Sequence, residues 1–212
     1  MCIICISGAG IAQPTQATIR TMFDRNPHGA GYMYSRNGRV TIHKGFMDCD
    51  EFITQIAREK FTADDVVIYH FRISTQAGVN PEMTHPFPLS SETDHLKALD
   101  VECACGIAHN GIIPMTTTPG KTDMSDTALF IKKYIPLVLR APEDLENPCI
   151  LRILQELVGS SRLAILDGSG RVATVGYFIE EDDGLLYSNA TYRPAPPRVY
   201  RKPTAKQFHM AL

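Results

Sequence analysis

Gly31-Tyr32-Met33-Tyr34-Ser35-Arg36-Asn37-Gly38-Arg39-Val40-Thr41-Ile42-His43-Lys44 is the stretch whose reading decides the fold. Two runs rich in aromatic and β-branched residues flank Asn37-Gly38. That pair favours a two-residue turn in which both central residues take φ > 0, a region open to Asn and Gly at little steric cost. Residues 31–35 and 39–44 are therefore read as neighbouring antiparallel strands.

The same logic extends in both directions. Residues 1–7 are an almost wholly apolar, β-branched run, which fits a strand covered on both faces. Thr15 is placed to cap a helix with Ile19, Met22 and Phe23 on one side, and Asp48 or Asp50 to cap another with Phe52, Ile53 and Ile56. Residues 65–72 read as a strand, 74–89 as a long loop rich in Pro and Thr, and 101–109 as a strand ending at Asn110-Gly111. Ser125 or Asp126 opens a helix through Leu139, bent or ended by Pro136, and residues 148–158 form a helix stopped by Gly159. A hairpin over Gly168-Ser169-Gly170 joins 162–167 to 172–178, and 185–188 adds a strand. Turn signals join successive strands directly, without strict strand–helix alternation. The expected class is α+β, with antiparallel sheets and helices packed outside them.

The chain has 212 residues, 44% hydrophobic and 21% charged, with net charge −2, the composition of a globular protein without a global field for nucleic acid or membrane. No apolar run has the length of a membrane span, and the apolar start lacks the basic n-region of a signal peptide. The six cysteines are scattered, as reduced thiols in a cytoplasmic protein would be. Cys103 and Cys105 are expected on one strand face. With His85, His95 and His109 they match no usual zinc spacing, so neither metal nor cofactor is expected. From Arg193 onward five basic residues and four prolines occur without an acid; a globular domain over 1–190 and a weakly ordered basic tail over 191–212 are expected.

Chemistry concentrates in four places. Cys2 directly follows Met1; once Met1 is removed, thiol and α-amine share one residue and exchange a proton near neutral pH without a second side chain. Its bland reading is a small buried hydrophobe. Cys2 and Cys5 also have the redox CxxC spacing, but residues three apart on a strand face opposite ways and no helix N-terminus is present to lower the thiol pKa, so Cys5 is assigned to the core. His109-Asn110-Gly111 reads equally as a tight turn or as oxyanion donors, the Asn amide and the Gly N–H. Arg72 either pairs with an internal carboxylate or grips a substrate carboxylate through its planar fork. Asp126 either steadies a helix dipole or meets a substrate ammonium.

The set resembles the glutaminase domain of class II glutamine amidotransferases, members of the N-terminal-nucleophile (Ntn) hydrolase superfamily. The matching segments are Met1-Cys2-Ile3-Ile4, Asn26-Pro27-His28-Gly29-Ala30-Gly31, Lys44-Gly45-Phe46-Met47, His70-Phe71-Arg72-Ile73-Ser74-Thr75, Thr84-His85-Pro86-Phe87, His109-Asn110-Gly111-Ile112-Ile113 and Ser125-Asp126-Thr127. Their order and spacing are similar to those of compact, stand-alone members often carried by bacteriophages, for which the setting would be the host cytoplasm. The resemblance implies a four-layer αββα sandwich with the nucleophile at the start of a central strand. It implies Cys2 as nucleophile, Asn110 and Gly111 as oxyanion hole, Arg72, Thr75, Gln76 and His85 at the substrate with Asp126 on its ammonium, L-glutamine as substrate, and a separate synthase as possible partner. Family members commonly carry His, Asn and Asp where this chain has Gln76, Met83 and His28, the first two in the expected substrate loop. Two further readings stay open: hydrolysis of a γ-glutamyl or other amide, and an inert binding module.

Overall fold

Asn37 and Gly38 turn with φ of 54° and 75°, joining β2 (Ala30–Arg36) to β3 (Arg39–Phe46) with Arg36 opposite Arg39. Around this hairpin the computed structural model describes residues 1–74, 78–116 and 123–193. β1 (Ile3–Ser7) and β4 (Val67–Phe71) lie antiparallel at the centre of the same sheet, with Ile3 opposite Phe71. Helices α1 (Gln16–Arg25), capped by Thr15, and α2 (Cys49–Glu59), capped by Asp48, connect these strands.

The second half supplies β5 (Phe87–Pro88), α3 (Thr93–Lys97), β6 (Asp100–Cys103), β7 (Cys105–Asn110), α4 (Asp126–Lys133), α5 (Ile135–Val138), α6 (Pro148–Val158), β8 (Arg162–Asp167), β9 (Val172–Val175), β10 (Ile179–Glu180) and β11 (Leu186–Tyr187). Among the described residues, seven strands form one antiparallel sheet, in the order β10-β11-β1-β4-β2-β3-β6, and four form another, β5-β7-β8-β9.

Strand alternation explains how these pack. Ile3 and Cys5 point outward to Ile19, Met22 and Phe23 of α1 and Phe52 of α2. Ile4 and Ile6 point inward, with Met33 and Ile68, to Ala108, Ala164 and Leu166 of the second sheet. The outer face of that sheet, through Ile107, Leu163 and Ile165, meets Phe130, Ile131 and Leu154 of α4 and α6. Three apolar seams separate four layers, the αββα arrangement that the resemblance implies. Alternate residues of β1 lie in different seams, so both faces are apolar, as its sequence requires.

Several expectations are corrected. The strand over 101–109 is two strands in different sheets: Cys103 pairs with Val40 in the first and Cys105 with Asp167 in the second, with exposed Ala104 between them. Each half keeps its own alternation, so the crossover leaves no mark in the pattern. Cys103 and Cys105 consequently enter different seams rather than sharing a face. The helix from 125 to 139, by contrast, is interrupted as expected: it breaks at Tyr134 because Pro136 cannot donate an N–H and its ring crowds the carbonyl four residues back. The loop 74–89 contains a helical turn at Pro81–Met83, capped by Asn80, and the short β5; α3 was not anticipated. Residues 194–212, most of the expected tail, lie outside the described residues. Tyr192, within the expected tail range, stacks on Tyr187 at 3.7 Å.

Candidate active site

The topology brings the start of β1 and the ends of β4 and β7 to one place. Because β1 and β4 are antiparallel with Ile3 opposite Phe71, Cys2 sits beside the residues that follow β4. The Ile73 N–H donates to Cys2 Sγ at 3.4 Å, and the thiol donates to the Ile73 carbonyl at 3.5 Å. Cys2 is half-buried, its carbonyl accepting from Asn189 Nδ2 at 2.6 Å. A cavity of about 400 Å³ opens here, lined by Cys2, Arg72, His85, Asn110, Gly111 and Asp126 among others. That volume suits a small-molecule ligand. Met1 also borders it and is 71% exposed.

Arg72 is buried at the end of β4, its backbone held by the Gly29 carbonyl and the His28 N–H, its guanidinium donating to Ser74 Oγ at 3.1 Å. His28 takes part a second time: its Nδ1 accepts from the Ser74 N–H at 2.9 Å and props the chain leaving Arg72. Asp126 occupies the first turn of α4, behind the Ser125 cap. Its Oδ2 accepts from the Ile113 N–H at 3.0 Å and its Oδ1 from the Thr127 N–H at 2.8 Å, which fixes the carboxylate and the strand exit after Gly111 together.

Gly111 has φ +145°, and a Cβ there would lie 2.2 Å from Ser161 Oγ, so only glycine fits. Asn110 is fully buried and its Nδ2 donates to Ser188 Oγ at 2.8 Å. Behind them lies a histidine group. Thr127 Oγ1 joins His85 Nε2 (3.0 Å) to His109 Nδ1 (2.8 Å), the rings of His70 and His85 are 4.3 Å apart, and His70 Nε2–H donates to the His109 carbonyl at 3.0 Å.

The electrostatics follow from burial. It pushes the Cys2 thiol up, offset in part by the Ile73 N–H, by Arg72 and by the N-terminal ammonium. It pulls Arg72 down, offset by Cys2 and Asp126, so cation and acid sense one another across the cavity. Burial lowers His70 to about 3 and His109 to about 4, and puts His85 well below its ordinary value, with repulsion from His70 adding to it. The three rings are neutral at ordinary pH and leave the charge to Arg72 and Asp126.

The structure thus brings together Cys2, Arg72, His85, Asn110, Gly111 and Asp126. Thr75 and Gln76 lie outside the described residues. Met83 is corrected: instead of facing a substrate it is fully buried in the core beneath α4, its Sδ accepting from the Ser125 N–H at 3.3 Å. Sequence reasoning missed Ser188 and Asn189, whose partners are Asn110 and Cys2. No local signal marks them, since topology alone brings residues so distant together. Among the described residues, no group of three or more His, Cys, Asp or Glu is arranged for a metal ion, and no helix is long and apolar enough to cross a membrane.

No family model and no curated protein sequence matches the chain. Among solved structures, it is similar to a glutamine phosphoribosylpyrophosphate (PRPP) amidotransferase from B. subtilis complexed with ADP and GMP, at 19% identity and TM-score 0.49, over 79% of this chain and 35% of that one. It is similar also to the allosteric regulatory enzyme of purine biosynthesis, at 18% identity and TM-score 0.47, over 79% of this chain and 36% of the other. The chain thus spans about a third of the length of these structures.

Proposed function

We propose that the chain is a glutamine amidotransferase or glutaminase of the Ntn type, acting on the side-chain amide of L-glutamine through Cys2. With Met1 removed, the Cys2 α-amine takes the thiol proton and the thiolate attacks the amide carbon. The oxyanion that forms is met by Asn110 Nδ2 and the Gly111 N–H. As the C–N bond breaks, the amine returns its proton to the leaving nitrogen and ammonia departs, leaving a γ-glutamyl thioester on Cys2. Water, activated by the same amine, then releases glutamate and restores the thiol. Arg72 takes the α-carboxylate together with Thr75; Asp126 takes the ammonium; Gln76 is a further substrate-binding residue, and neutral His85 lines the cavity.

The observation that carries this reading is the convergence on one cavity of a thiol, a buried guanidinium, a carboxamide followed by an obligate glycine, and a carboxylate. A cation and an anion on the wall match a zwitterion, which an amide lacking those charges would not use. Ammonia either passes to a separate synthase docked over the mouth or is released to solvent. Glutamate release from glutamine by the protein with Met1 removed tests the reading: Cys2→Ala is expected to abolish it, and equal turnover by that variant would sink it. Protein retaining Met1, whose α-amine is displaced from the sulfur by a residue, is expected to be inactive.

A further inference from the structure

The oxyanion donor and the nucleophile stand on different sheets: Asn110 closes β7 in the four-stranded sheet, and Cys2 precedes β1 in the seven-stranded one. The seam between the sheets is apolar, built from Ile4, Ile6, Met33, Ala108, Ala164 and Leu166. Apolar contact is non-directional and sets the separation of two sheets better than their offset. Yet attack on an amide needs sulfur and donor placed to a fraction of an ångström, and a misplacement of about 1 Å costs on the order of a hundredfold.

Besides His70, whose ring reaches the His109 carbonyl, a second side chain crosses this seam directly behind Asn110 of the cavity wall. Ser188 follows β11, next to β1, and is 2% exposed. Its Oγ accepts from the Ile4 N–H at 2.9 Å and from Asn110 Nδ2 at 2.8 Å. Its N–H donates to the Ile4 carbonyl at 3.0 Å, and the next residue, Asn189, donates to the Cys2 carbonyl at 2.6 Å. A single hydroxyl therefore fastens the carboxamide of one sheet to the backbone of the other, two residues beyond the nucleophile. The far end of that carboxamide, Oδ1, is buried without a hydrogen-bond partner among the described residues, so it does nothing to orient the group.

We infer that Ser188 is a positioning residue for the oxyanion hole, acting through Asn110. A carboxamide is planar and its nitrogen carries two hydrogens. With one pinned on Ser188 Oγ, the direction of the other is set, and that second N–H is the one available to a developing oxyanion. Ser188 touches no substrate. It aligns the donor with the strand that carries the sulfur. The inference rests on the glutaminase reading and adds a residue to it.

The test is a double-mutant cycle on glutamine turnover with Met1 removed. Ser188→Ala should lower kcat by roughly tenfold to a hundredfold, less than outright loss of an oxyanion donor, with KM unchanged. In an Asn110→Ala background the same substitution should change kcat little, because the group it orients is gone. Ser188→Thr, which keeps the hydroxyl, should restore most of the rate. Iodoacetamide alkylation of Cys2, followed on the N-terminal peptide by mass, displaces iodide at a saturated carbon and builds no oxyanion; Ser188→Ala should leave its rate unchanged. A kcat for Ser188→Ala equal to the unsubstituted protein's, an additive loss in the Asn110→Ala background, or a parallel loss of alkylation would overturn the inference. Absence of glutamate release from the unsubstituted protein would instead overturn the reading on which it stands.

Discussion

The seven-stranded sheet brings to the cavity a sulfur and a guanidinium, whereas the four-stranded sheet brings a carboxamide, a glycine N–H and, through α4, a carboxylate. In the first sheet the central strands β1 and β4 are buried on both faces, with apolar contact to α1 and α2 on the outer side. The second keeps polar groups under its site: His85, His109 and Thr127 are all buried, and the Thr127 hydroxyl is hydrogen-bonded to both histidines. Two links cross the gap close to the cavity, Ser188 to Asn110 and His70 to the His109 carbonyl. The contrast teaches that neither sheet holds a complete set of reacting groups. On the proposed reading, acyl transfer would depend on how the sheets are aligned, and Ser188–Asn110 and His70–His109 are directional bonds at one end of an oily seam.

The comparison is broken most severely by removing the charge that the first sheet supplies. Arg72→Ala should cost about 2–5 kcal/mol in glutamine binding, read as a rise in KM, because a substrate carboxylate is left without its partner. The same change removes a cation that lowers the Cys2 thiol pKa, so the pH at which Cys2 becomes half-alkylatable should move upward. Next comes the second sheet. Asn110→Ala should lower kcat by roughly a hundred- to a thousandfold while Cys2 alkylation proceeds at the unsubstituted rate, since the donor acts only on the oxyanion. If alkylation falls with it, the two sheets are not separable in the way described.

The link through His70 is probed by pH. Its folded pKa, about 3, lies below the 6.5 of an exposed histidine, and His109 lies at about 4 for the same reason. The unfolded chain therefore binds more protons below pH 6.5, and the stability is present above that pH and lost as the pH falls. Each excluded proton contributes a slope of about 1.4 kcal/mol per pH unit. Urea melts between pH 7 and 4 should show this decline, and His70→Gln should make it shallower; an unchanged slope would remove His70 from the account. The smallest effect belongs to the seam itself. Ile6→Val should cost about 0.5–1.5 kcal/mol of stability by urea melt and leave kcat and KM unchanged, because the apolar contact carries no directional information.

Much of this was legible in the chain. Asn37-Gly38 fixes a hairpin by φ alone, the continuous apolar run at Ile3–Ser7 announces a doubly covered strand, and Thr15 and Asp48 cap helices by local chemistry. Cys2, Arg72, Asn110 and Asp126 were singled out as candidates because their residue types carry chemical meaning. Taken alone each kept a bland reading, and the resemblance rather than local sequence assigned their roles; the structure lines one cavity with all four. The crossover at Ala104 stayed hidden because two amphipathic strands in different sheets alternate just as one does. Met83 sits in a loop by sequence but under α4 in space, where the thioether replaces a loop contact with a core one. Ser188 and the Thr127–histidine bonds were illegible for a related reason: a serine or a histidine reads alike whether it faces water or a partner tens of residues away, and only the sheet order decides.

The central claim, that Cys2 sulfur attacks the glutamine amide and carries the acyl group, is tested most directly by acid-quenching the Met1-free protein during turnover and weighing its N-terminal peptide. The account predicts a γ-glutamyl increment on Cys2 that grows in with glutamine and vanishes in Cys2→Ala along with glutamate release. Steady glutamate release with no adduct on that peptide, at the same rate in Cys2→Ala, would contradict it.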